Sequence, residues 1–136
     1  MRSIARTLHL FVSWLFVAGL IAQVFLAGLG VFDGPASFAT HRDVGYSLSL
    51  IPLVLIIAAW LGGLGRRLAL LALLTGLLFV LQSVFVVMRT SAPAVAALHP
   101  VNGFLILLLA IVIARESWLA RSAATATPTP APTTEP

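Results

Sequence analysis

The chain has no cysteine, no lysine and only four acidic residues, and each scarcity removes a class of function. Without cysteine there is no disulfide, no covalent c-type haem attachment and no thiolate-held iron–sulfur cluster. Histidine is then the strongest ligand on offer for a metal or a haem. The eight basic residues are all arginines, spread along the chain rather than gathered in a patch. The net charge of +4 therefore does not describe a nucleic-acid surface, and no nucleic-acid partner is expected. Charged residues make up 9% of the 136 positions, too few to clothe a soluble domain of this size.

Apolar residues fill the gap, at 60% of the chain and a mean hydropathy of +1.10. Four stretches, 8–31, 44–61, 68–88 and 92–114, contain no Asp, Glu, Lys or Arg. A membrane-spanning helix takes about 20 apolar residues. The expected fold is an all-α integral membrane protein, a four-helix bundle over residues 1–119 whose principal partner is the lipid bilayer. Arg2 and Arg6 precede the first stretch, Arg66 and Arg67 join the second to the third, and Arg115 and Arg121 follow the fourth. The two other connections carry Arg42 and Arg89 alone. This alternation predicts that both termini are cytoplasmic, in a bacterial plasma membrane. The 24-residue first stretch is longer than a signal-peptide core, so it is read as an uncleaved helix. Residues 120–136, rich in Ala, Thr and Pro, are expected to form a disordered cytoplasmic tail.

Proline near a helix start marks two further boundaries. The second helix is expected to begin near Pro35, with Asp33 able to cap it, and to run over about 36–61 with a kink at Pro52. The fourth is expected to begin around Pro93, capped by Ser91 or Thr90, with a bend at Pro100. On the first helix Gly19, Gln23, Ala27 and Gly30 share a side that should face the bundle.

The two proline-led segments resemble each other. PASFATHRDVG (35–45) and PAVAALHPVNG (93–103) share Pro-Ala, four residues, His, three residues, Gly. Each is preceded by the single glutamine of the upstream apolar stretch, Gln23 and Gln82. The expectation is two pseudo-repeated helix pairs, helices one and two and helices three and four. Helices two and four run in the same direction, so His41 and His99 should lie at one depth. Short loops put sequential helices side by side and place these two on a diagonal, about 14 Å apart for neighbouring axes 8–10 Å apart. Two neutral imidazoles can then reach one central ion, of which haem iron is the expected example. Gly45 and Gly103, one turn deeper than each histidine, would clear a face for a flat macrocycle. Arg42 and Arg89 near the outer boundary could pair with haem propionates, and Gln23 and Gln82 are candidate supports for the ligands. The competing reading is that the histidines and glutamines only bond neighbouring helices and the glycines only ease packing. His9 has no counterpart in the repeat and is read as an interfacial residue.

His41-Arg42-x-x-Gly45 and Leu98-His99-Pro100-x-Asn102-Gly103 resemble an uncharacterised family of small four-helix bacterial membrane proteins, a domain of unknown function. The resemblance covers nearly everything but the tail. More distantly the layout is similar to one half of haem A synthase, whose four-helix halves carry paired histidines on their second and fourth helices, and to four-helix b-type cytochromes. It implies haem b held by two histidines. Haem A synthase has a glutamate three residues before the His-Arg of its second helix, where this chain has Phe38. The resemblance therefore implies haem binding, in electron transfer or haem handling, rather than haem oxidation. A redox partner or quinone, and assembly as a homo-oligomer or within a larger membrane complex, would accompany that role. A haem-free scaffold, complex subunit or small transporter component is the alternative. A proton-linked transporter is disfavoured by the lack of any acidic residue in the spans.

Overall fold

The computed structural model describes residues 1–125, and these residues contain helices and turns but no strand. The first span is one unbroken helix, α1 (Arg2–Phe32). The second opens with a 3-10 turn, Pro35–Ser37, and continues as α2 (Phe38–Leu48) and α3 (Ile51–Gly62). α4 (Arg66–Val87) is the third. A single turn, α5 (Pro93–Ala96), leads into α6 (Leu98–Thr125), the fourth. All four are long and apolar enough to cross a membrane, consistent with a multi-pass membrane protein.

Each interruption has a local cause. Pro52 has no N–H to give the carbonyl of Leu48, and the helix breaks at Ser49 and Leu50, where Leu50 N–H turns back to Ser47 O. Pro100 likewise leaves Ala96 O without its usual donor, and the break falls at Ala97. Between α3 and α4 the chain reverses over Gly63 (φ +61°) and Gly65 (φ +90°), backbone angles that a Cβ would strain. The expected side-chain caps do not form. Asp33 accepts the Ser37 hydroxyl at 2.6 Å, and Gly34 and Ala92 stand at the N-cap positions of the proline-led turns. Helix also outruns the charge-free stretches, starting at Arg2 and continuing to Thr125, because arginine stems can lie along apolar surface. The rest of the expected tail, 126–136, lies outside the described residues.

The spans pack in a ring. α1 lies against the second and fourth spans, α4 against the same two, and the second and fourth face each other across a diagonal. Both ends of the described chain meet at the arginine-rich end, where Arg121 donates to Thr7 Oγ1 at 2.9 Å. The interior there is closed by Arg6, whose Nε donates to Gly62 O at 2.8 Å.

Phe16, Leu55, Ala72, Ile106 and Ala110 fill the middle of the bundle and are fully buried, with Phe79 tilted against Phe16 at 6.0 Å between ring centres. Thr75, buried at this level, donates its hydroxyl to Leu71 O in its own helix. Leucine, valine and isoleucine cover the outside, the distribution expected where the surrounding medium is lipid.

The expected face of α1 does turn inward at its small residues. A Cβ on Gly30 would stand 2.5 Å from the Phe38 ring, whereas one on Gly28 would meet nothing within 4 Å. Gly30→Ala is therefore expected to cost about 1–3 kcal/mol by forcing a rigid ring aside. Gly28→Ala should be neutral or gain up to about 1 kcal/mol of helix propensity. Unfolding of both variants in a denaturing-detergent titration checks the pair.

Candidate functional site

Two histidines meet near the starts of the second and fourth spans. His41 lies on α2, one turn past the 3-10 start, and His99 is the second residue of α6. Their ring centres are 6.2 Å apart with planes at 62°, so the diagonal is bridged at a single depth. Both are half-buried, and the Phe38 ring meets His41 edge-on at 6.3 Å.

Each imidazole is oriented by the backbone of the preceding span. His41 Nδ1 lies 3.1 Å from Gln23 O, and His99 Nδ1 lies 3.4 Å from Gln82 O. A carbonyl can only accept, so in the neutral ring the hydrogen sits on Nδ1 and the lone pair is left on Nε2. Histidine ligands of metals are commonly oriented in this way.

In the first unit the glutamine side chain returns the contact. Gln23 Nε2 donates to His41 O at 3.0 Å, so helix one and helix two are joined by a reciprocal pair of bonds. Gly45 makes this possible, since a Cβ there would stand 3.0 Å from Gln23 Nε2. The equivalent distance from Gly103 to Gln82 Nε2 is 3.4 Å. The surface over both glycines is thus covered by glutamine amides.

The two units then diverge. Asn102 Nδ2 donates to Leu78 O at 2.9 Å and to Gln82 Oε1 at 2.6 Å. Three residues after His41, the matching position is Val44, and Gln23 Oε1 is buried without a partner. In the sequence Asn102 stands out only as part of the Leu98-His99-Pro100-x-Asn102-Gly103 motif. Its work as a tie between α4 and α6 was signalled by an amide in an apolar stretch. Arg42 and Arg89 are exposed and locally engaged, Arg42 with the Asp43 carboxylate at 2.9 Å and Arg89 with Val86 O at 3.3 Å.

His9, expected at the boundary, is fully buried inside the bundle. Ser13 and Ser117 each donate a hydroxyl to the carbonyl four residues back, at 2.6 Å. Their oxygens remain as acceptors, and His9 Nδ1 sits 2.8 Å from Ser117 Oγ and 3.4 Å from Ser13 Oγ. Nε2 has no partner. The bond to Ser117 spans 108 residues of sequence, so no local pattern announces it.

Residues 23–90 match a family of unknown function, DUF6220. The chain belongs to that family. The matched segment opens at Gln23, contains the whole of the first Gln-His-Gly unit, and ends between Gln82 and His99. No curated protein and no solved structure matches the chain.

If the amide network is what ties helices three and four, Asn102→Val should cost about 1 kcal/mol, the usual scale of an interhelical bond in a bilayer. Gly45→Ala should be costlier than Gly103→Ala, in the order of the two clearances. Parallel unfolding titrations of the three variants rank them.

Proposed function

We propose that this family member is a membrane-embedded b-type haem protein in which His41 and His99 would hold the haem iron. The observation that carries the reading is the histidine pair. Two imidazoles that approached one ion from opposite sides, each with a nitrogen about 2.0–2.1 Å from it, would have ring centres about 6 Å apart. His41 and His99 stand at 6.2 Å, with Nδ1 of each directed to a carbonyl and Nε2 left as the ligating atom. Bound there, haem supplies one-electron redox chemistry.

The chain's own residues would orient and shield that group. Gln23 O and Gln82 O fix the ring tautomers, and Phe38 limits how far His41 can turn. Gly45 and Gly103 open a face to a macrocycle once the glutamine amides move aside. Arg42 would exchange Asp43 for a propionate, and Arg89 has donors left over for the same purpose. Asp43, two residues after His41 on α2, is exposed and engaged by Arg42, and we assign no catalytic residue. Electron transfer or haem handling at the outer face of a bacterial plasma membrane, with both termini cytoplasmic and a quinone or protein redox partner, is the role this suggests.

A second reading has its own observation. The glutamine amides already fill the space over both glycines, and every imidazole Nδ1 is satisfied internally. On that reading the units are interhelical ties in a haem-free scaffold or a subunit of a larger assembly.

Spectra of the detergent-purified protein separate the two. Sharp alpha and beta bands on dithionite reduction are expected, and both His41→Ala and His99→Ala should lose them while still inserting in the membrane. A normal haem spectrum in both variants, or a flat one after haem is supplied during expression, overturns the assignment.

A further inference from the structure

The end of the bundle away from the histidines carries a feature that the haem reading does not use. A shallow groove of about 520 Å³ is lined by Arg66, Arg67, Leu70, Leu71 and Leu74. These positions recur at three- and four-residue intervals, so two arginines head a leucine-lined strip about 12 Å long on one face of α4. Leu70 and Leu74 are nearly half exposed.

The charges at the head are not equivalent. Arg67 is engaged by Glu116 of α6 through contacts of 2.8–3.0 Å. Arg66 is exposed and has no partner among the described residues. The groove therefore presents one uncompensated cation above an apolar trough. Trp60 and Trp118 lie exposed on the neighbouring spans, within a few residues of Gly62 and Glu116 respectively. Exposed tryptophan is favoured at the depth where acyl chains give way to headgroups.

We infer that this groove binds an anionic phospholipid, its phosphate on Arg66 and one acyl chain along Leu70, Leu71 and Leu74. A zwitterionic lipid with a choline group brings a cation to the same place and gains less. Glu116 acts against binding, because it neutralises Arg67, the second cation at the head. The inference rests on the membrane-spanning reading and not on haem.

Native mass spectrometry of the full chain in detergent, titrated with phosphatidylglycerol or phosphatidylcholine of identical chains, tests it. Phosphatidylglycerol should bind about fivefold more tightly, the effect of one arginine near an anionic headgroup. Arg66→Gln should abolish the preference, and Glu116→Gln should strengthen it by a similar factor. Equal binding of the two lipids overturns the inference, as does a preference unchanged in Arg66→Gln or a chainless glycerol phosphate that binds as well as the lipid. If Arg66→Gln misfolds, Glu116→Gln decides, and no gain there is likewise fatal. Membrane integration is scored apart from lipid preference, by whether alkaline carbonate leaves the protein in the membrane pellet.

Discussion

A polar side chain inside an apolar helix has to find its partner within the protein, because lipid provides none. In this chain that demand decides which helices touch. Gln23 and His41 exchange bonds between the first and second spans, and His99, Gln82 and Asn102 do the same between the third and fourth. His9 and Ser117 join the first to the fourth near the chain ends. Among the described residues, the joint between α3 and α4 has no such tie in its walls. It is held by close packing, with Pro52 3.5 Å from where a Cβ on Gly76 would stand. The ring of helices is thus pinned by polar bonds on three sides and by fit on the fourth.

How much of this was readable from the residues depends on distance along the chain. The four helices, the breaks near Pro52 and Pro100, and the glycine turn follow from composition and from what proline and glycine do to a backbone. The meeting of His41 and His99 followed from helix direction and loop length. What escaped was set by side-chain competition. Gly45 was read as clearing a face, and a glutamine amide occupies it. Asp33, and Ser91 or Thr90, read as caps, but a hydroxyl reaches the Asp33 carboxylate and Ala92 takes the N-cap position ahead of Pro93. His9 reads as interfacial because it has no counterpart in the repeat and lies near the arginine-bearing end of the first span. Its acceptor comes from the far end of the chain.

The near-repeat is informative where it fails. The two Gln-His-Gly units have the same bonds to the ring nitrogens, yet Asn102 completes the second while Val44 leaves the first with an unpaired amide oxygen. The two histidines consequently sit in unequal surroundings. His41 belongs to the tighter ring contact and the looser glutamine, and His99 to the reverse.

The middle of the bundle separates its two polar ends. Gln23 and His9 are 14 residues apart on α1, about 21 Å along the axis, and the fully buried Phe16 lies between them. With Leu55, Ile106 and Ala110 at that level and Thr75 spent on its own helix, no chain of hydroxyls or amides connects the ends among the described residues. This layer is a dielectric slab. A charge placed at the histidine pair would thus be separated from the arginine-rich end by a layer of apolar side chains that offers it no polar group, and the two ends are electrostatically insulated from one another.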